Sequence, residues 1–227
     1  MLRLSPLLLV LIFFVSACGN QQPKQAEQQN QVDSLTTETK KETKNILFFG
    51  TSLTAGYGLD DPSQAYPALI QNKIDSLKLP YHVVNGGLSG ETSAGGLGRI
   101  DWILKQPVDI FVLELGANDG LRGLSVVETT TNLQAIIDKV KAKYPNAKLV
   151  MEGMQMPPNM GQKYTAEFKN LFSSLAVKNE MLFVPFLLEG VGGVAKLNQN
   201  DGIHPNEQGA KILAQNVWVI LKPILQQ

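Results

Sequence analysis

The chain has 227 residues, 44% of them apolar and 18% charged, with 20 basic against 20 acidic side chains and a formal net charge of zero. That apolar share suits a globular protein with a substantial core. The balanced charge gives no electrostatic footprint for a nucleic acid, and the single cysteine excludes an intramolecular disulfide.

The first residues carry one cation, Arg3, then an apolar run from Leu7 to Val15, then the small residues Ser16 and Ala17 ahead of Cys18. A run of that length is a secretory signal peptide and is too short to span a bilayer. The tetrapeptide Val15-Ser16-Ala17-Cys18 resembles a bacterial lipobox, which implies cleavage before Cys18 and lipid attachment at its thiol. Residues 1–17 are therefore expected to be a lipoprotein leader, and the mature chain to be exported and anchored to a membrane at the periplasmic face or the cell surface. Residues 18–44 are rich in Gln, Thr and Lys and almost without large apolar side chains. Such a segment cannot offset the entropy of ordering and reads as a flexible tether. Residues 45–227 are enough for one ordinary domain.

Within that domain, apolar runs of strand length at 46–49, 81–84, 109–115, 147–151 and 181–186 alternate with stretches of helical periodicity at 65–77, 96–105, 126–143, 164–178 and 206–221. Several of the runs are apolar almost throughout, as buried parallel strands are. Strand followed by helix, five times over, predicts an α/β fold, a three-layer doubly wound parallel five-stranded sheet. Ligands of such sheets bind outside the carboxyl ends of the strands, so the loops after each strand are where chemistry is sought.

The first strand runs into Phe49-Gly50-Thr51-Ser52-Leu53-Thr54-Ala55-Gly56-Tyr57-Gly58. Ser52 there can be a helix N-cap, part of a hydroxyl-rich phosphate loop of the flavodoxin kind, or a nucleophile with backbone N–H donors beside it. The Gly-Lys-Ser/Thr of a P-loop does not follow. The second strand ends in Asn85-Gly86-Gly87-Leu88-Ser89-Gly90-Glu91-Thr92, and the third in Glu114-Leu115-Gly116-Ala117-Asn118-Asp119-Gly120. Taken alone, each is an ordinary turn sequence. An acyl-transfer site, however, needs a backbone N–H that can be approached closely, as at Gly90, and a side-chain amide donor, as at Asn118. Near the carboxyl end, Asp201-Gly202-Ile203-His204-Pro205 sets a carboxylate and an imidazole close together. Pro205 suits the first turn of the last helix. The other histidine, His82, falls in a strand and is expected to be packed there, so His204 is the candidate base. Two distant histidines and no ligand cluster of zinc spacing give no reason to invoke a metal.

These segments, in this order, resemble the conserved blocks of the SGNH/GDSL hydrolases, and among them the bacterial thioesterase/lysophospholipase/arylesterase group. The resemblance spans about residues 45–223 and is tightest over Leu113–Gly123 and Asp201–Pro205. It implies a flavodoxin-like SGNH hydrolase fold and a serine hydrolase of carboxylic esters or thioesters that needs no cofactor and takes a small-molecule or lipid ester. It puts the nucleophile on Ser52, the acid and base on Asp201 and His204, and the oxyanion donors on the Ser52 and Gly90 N–H and the Asn118 amide. One position departs: where the family has Gly-Asp-Ser-Leu, this chain has Gly50-Thr51-Ser52-Leu53. A hydroxyl supplies a donor where a carboxylate only accepts, so the nucleophile turn is expected to be braced differently; a binding protein on a dead hydrolase scaffold is the alternative. The methionine-rich stretch 151–160 after the fourth strand is either an adaptable acyl-binding rim or plain core.

Overall fold

The computed structural model describes residues 42–227. The expected leader, Cys18 and nearly all of the expected tether lie outside the described residues.

Five strands, β1 (Lys44–Gly50), β2 (Tyr81–Asn85), β3 (Ile110–Glu114), β4 (Lys148–Glu152) and β5 (Leu182–Val184), form one sheet in the order β2-β1-β3-β4-β5. Every neighbouring pair is parallel. The switch in strand order falls between β1 and β3, which places a crevice at their carboxyl ends. β1 begins at Lys44, one residue ahead of the expected domain boundary.

The helices are α1 (Ser52–Ala55), α2 (Tyr66–Ser76), α3 (Ser93–Ile103), α4 (Ala117–Leu121), α5 (Val126–Lys143), α6 (Gln162–Asn179) and α7 (Glu207–Leu225). Packing of α2 with α7, and of α5 with both α3 and α6, makes the two outer layers. The longer helices follow the expected periodicity. In α5 the Ser125 hydroxyl caps the Glu128 N–H, Glu128 sits in the first turn and Lys141 and Lys143 in the last, matching the helix dipole. Its buried side chains, Thr129, Leu133, Ile136, Ile137 and Val140, recur at helical spacing. The short helices α1 and α4 are absent from the sequence reading, because four or five residues hold no periodic signal.

The core is densest on the central strands: Ile46, Phe48 and Phe49 of β1 and Phe111, Val112 and Leu113 of β3 are fully buried. β2 lies at the sheet edge, and His82, expected to be packed, is exposed there, because alternate residues of an edge strand face outward. Pro205 is also displaced from its expected place: α7 starts at Glu207 with Asn206 as its cap, the Asn206 carbonyl oxygen of the side chain accepting from the Gln208 and Gly209 N–H. Pro205 instead pairs with Asn198 in an isolated antiparallel bridge.

Candidate active site

At the end of β1 the chain turns sharply into α1. Thr51 is the N-cap of α1 by position, with no side-chain capping bond, and Ser52 is the first helical residue. Ser52 is therefore not an N-cap. The turn is closed behind it by Gly56, whose φ of 76° is easy only for glycine and whose N–H reaches the Ser52 and Leu53 carbonyls. Ser52 keeps 9% of its surface accessible.

The His204 imidazole faces it from the loop before α7. His204 Nε2 lies 2.9 Å from Ser52 Oγ, and His204 Nδ1 lies 2.6 Å from Asp201 Oδ2. The other Asp201 oxygen, Oδ1, accepts from the backbone N–H of Ile203 at 2.9 Å and of His204 at 3.0 Å. These bonds, the imidazole first, hold the Asp201 carboxyl down at about 2. The His204 loop is tied to the serine turn by Gln199, whose side-chain amide donates to the Tyr57 carbonyl at 2.7 Å and whose N–H donates to the His204 carbonyl. The Tyr57 ring stands 4.8 Å from the imidazole, centre to centre. Gln199 and Tyr57 escaped the sequence reading, since neither carries chemistry of its own.

Asn118 is the second residue of α4, which follows Gly116, whose φ of 108° makes the bend from β3 possible. It shares with Ser52 and His204 the lining of a cleft of about 560 Å3. One hydrogen of its amide donates to the Glu91 carbonyl at 3.0 Å, which leaves the other for a ligand. Gly90 does not line that cleft; it lies in the neighbouring loop with a φ of 79° and open space where a side chain would be. Two arginines hold this loop: Arg122 donates to the Gly90 carbonyl at 2.9 Å, while Arg99 grips Glu91 through Nε and Nη2, reaches the Gly86 carbonyl at 2.8 Å and stacks 4.1 Å from the Phe49 ring. A lone Arg in a helical stretch gives no signal of such a role, so the sequence could not reveal it.

The cleft continues away from Ser52 between apolar side chains, among them Leu121, Met154, Met156, Pro158, Phe186 and Leu188. Of the methionine stretch, Met151 is wholly core, whereas Met154 and Met156, nearly buried themselves, also line the cleft.

Beneath the serine turn lies a buried cluster invisible in the sequence. Thr51 N–H donates to Glu114 Oε2 at 2.7 Å, and the Thr51 hydroxyl lies 3.0 and 3.1 Å from the two Glu114 oxygens. Thr54 Oγ1 lies 2.8 Å from Glu114 Oε2 and 3.0 Å from the Tyr66 hydroxyl, which is 2.9 Å from Glu152 Oε2. Burial pushes Glu114 up to about 7, against the pull of the Thr51 and Thr54 donors. It raises Glu152 well above the usual carboxylate range, with the nearby Glu114 charge adding to the effect. The phosphate-loop reading fails here, because the Thr51 and Thr54 hydroxyls are turned onto a carboxylate that would repel an anion. Among the described residues no group of three or more His, Cys, Asp or Glu side chains is placed to hold a metal ion.

A doubly wound parallel sheet carrying a serine, an imidazole and a carboxylate in hydrogen-bonded sequence at its carboxyl edge defines a serine hydrolase class of site. Residues 48–212 match the GDSL-like Lipase/Acylhydrolase family, and the chain belongs to it. It is 41% identical to esterase TesA of Pseudomonas aeruginosa over 80% of this chain and 90% of that one. It is 37% identical to thioesterase 1/protease 1/lysophospholipase L1 of Escherichia coli over 79% and 84% of the two chains. Among solved structures, the psychrotrophic esterase EstA from Pseudoalteromonas sp., inhibited by monoethylphosphonate, superposes with a TM-score of 0.73 at 33% identity, over 81% of this chain and all of that one. The fold and the family make this protein a carboxylic ester hydrolase.

Proposed function

We propose that this chain hydrolyses carboxylic acyl esters through a covalent acyl-enzyme on Ser52, with the apolar cleft receiving the acyl chain. The observation that carries the reading is the continuous bond chain from Ser52 Oγ to His204 Nε2 and from His204 Nδ1 to Asp201, at 2.9 and 2.6 Å, at the mouth of that cleft.

An ionised Asp201 keeps the hydrogen of the neutral imidazole on Nδ1 and leaves the Nε2 lone pair toward Ser52. As Ser52 Oγ attacks the ester carbonyl, Nε2 takes the hydroxyl proton and the carbonyl oxygen becomes an oxyanion. The free hydrogen of the Asn118 amide and the Ser52 N–H, both on the cleft, are its donors, while the Gly90 N–H expected as a third lies outside the cleft lining. Collapse breaks the bond to the alkoxide, which leaves with the proton from Nε2. Water then gives a proton to Nε2 and attacks the acyl carbon, releasing the acid and restoring Ser52. Thioesters and lysolipids enter the same scheme with a different leaving group.

Residues 1–17 are assigned as a leader removed before Cys18, with Cys18 acylated so that the 18–44 segment tethers the domain to a membrane outside the cytoplasm. Support for this is the lipobox sequence Val15–Cys18 and the polar, low-complexity stretch after it. Fatty-acid incorporation into the wild-type chain, and its loss in Cys18→Ala, tests the anchor.

For the reaction, the full chain is assayed on p-nitrophenyl esters of increasing acyl length and labelled with a fluorophosphonate. Burst kinetics and a label on Ser52 are expected. Hydrolysis unchanged in Ser52→Ala would overturn the reading.

A further inference from the structure

Three successive buried contacts join Glu114 to Thr54, Thr54 to Tyr66 and Tyr66 to Glu152, at 2.8, 3.0 and 2.9 Å between oxygens. Each contact needs one hydrogen. The Thr54 and Tyr66 hydroxyls supply two between them, because the Thr51 hydroxyl spends its own on Glu114. With both carboxyl groups ionised, one pair of buried oxygens would face each other without a hydrogen, at the cost of an unsatisfied polar group in the interior. A third proton therefore belongs to the chain, on one carboxyl or the other.

The surroundings decide which. Both Glu114 oxygens are engaged by donors: the Thr51 N–H, the Thr51 hydroxyl and the Thr54 hydroxyl. The Glu152 carboxyl has one hydrogen-bond partner, Tyr66, and its Oε1 is the single buried side-chain oxygen without a partner among the described residues. A charge is favoured where donors converge and disfavoured where an oxygen is left bare. The backbone agrees with a fixed carboxylate under the serine turn: Gly50 pairs with Glu114 across β1 and β3, and a side-chain carbon at Gly50 would fall 2.6 Å from Glu114 Oε2.

We infer that Glu152 is a carboxylic acid that donates to Tyr66, Tyr66 to Thr54 and Thr54 to Glu114, and that Glu114, so held as a carboxylate, is a positioning residue for Ser52. Glu114 grips Thr51, just before Ser52, and Thr54, two residues after it, without touching the substrate. Thr51 takes part as a donor to that carboxylate, a role that the aspartate usual at this position cannot fill while ionised. The inference rests on Ser52 being the nucleophile.

The test sets two isosteric variants of the full chain side by side. Glu152→Gln keeps a donor toward Tyr66 and needs no proton, so kcat and fluorophosphonate labelling rate should stay close to wild type, within about twofold. Glu114→Gln removes the charge and one acceptor, so kcat should fall on the order of a hundredfold at unchanged KM, the scale of a nucleophile misplaced by a fraction of its reach. Infrared difference spectra of wild type above about pH 8, where Glu114 is charged, should hold a carboxylic acid band that disappears in Glu152→Gln. Equal losses in the two variants, full activity in Glu114→Gln, or no such band in wild type would overturn the inference. If Glu114→Gln does not fold, wild type and Glu152→Gln still decide through the band. Hydrolysis surviving Ser52→Ala would sink the nucleophile assignment alone, leaving the infrared result to judge the proton.

Discussion

Asp201 and His204 meet at 2.6 Å although only Gly202 and Ile203 separate them, because the second oxygen of Asp201 closes a turn on the backbone N–H of Ile203 and His204. The same carboxylate thus bends the loop and orients the ring that the loop carries. Asp201→Asn should therefore lower kcat by about four orders of magnitude, the scale seen when an orienting carboxylate in a serine triad is neutralised. The Asp201 carboxyl is held at about 2, below its ordinary value of 3.8. A depressed carboxylate contributes stability that is present above the unfolded value and is lost as pH falls through the folded one. Loss of His204 orientation is accordingly expected only near pH 2 to 4, and kcat measured across pH 5 to 9 should show Asp201→Asn depressed at every point.

Asn118→Ala removes both a donor toward the cleft and the bond to the Glu91 carbonyl. Turnover should drop by about a hundredfold to a thousandfold, with a stability loss of only about 1 kcal/mol from the lost structural bond. Parallel kinetics and urea unfolding separate the two; a stability loss large enough to unfold the chain would mean that Asn118 is mainly a brace.

Arg99→Ala strands Glu91, whose side chain is only 4% exposed, without its bidentate partner. A cost of about 3 to 5 kcal/mol follows from leaving such a charge unpaired. Arg99→Lys should recover little of it, because an ammonium cannot reproduce the fork, the Gly86 contact and the stacking on Phe49 together. Thermal melts of the two variants check this.

Leu188→Trp places a larger side chain in the cleft beyond Ser52. Hydrolysis of acetyl esters should be retained while that of long acyl esters falls, shifting the optimum toward shorter chains. An acyl-length series in which all chain lengths decline together would place the acyl group elsewhere.

Glu114 makes the pH dependence of stability run opposite to that of Asp201. Its folded value of about 7 lies above the model-compound 4.5, so the stability it contributes is complete below about 4.5 and is lost as pH rises through about 7. Melting temperature should fall between pH 5 and 8, and Glu114→Gln should flatten that fall. A buried carboxylate that destabilises the fold at the pH where it is charged is the kind of cost functional sites carry.

Much of this was legible in the sequence. Parallel strands buried on both faces must be apolar throughout, which is why β1, β3 and β4 could be read within a residue or two of their ends. Ser52, Asn118 and the Asp201/His204 pair are each ordinary in a turn of small residues taken alone, and stand out only together, at one expected edge of the sheet and in the order of the SGNH/GDSL blocks. His82 was misread because one apolar run cannot tell an edge strand from a central one. Pro205 was misplaced because Asn206 caps the last helix better than a proline begins it.

The sequence by itself determined the α/β order, the loops that carry the site and the chemical types available there, since these follow from local periodicity and residue chemistry. Tertiary structure alone decided that Glu114, Thr54, Tyr66 and Glu152, drawn from two strands and two helices, share one buried hydrogen-bonded chain beneath Ser52. It alone set Arg99 under the Gly86–Glu91 loop. Those relationships depend on strand order and register, which bring residues distant in sequence to one row of the sheet, and no local pattern in the chain encodes that neighbour.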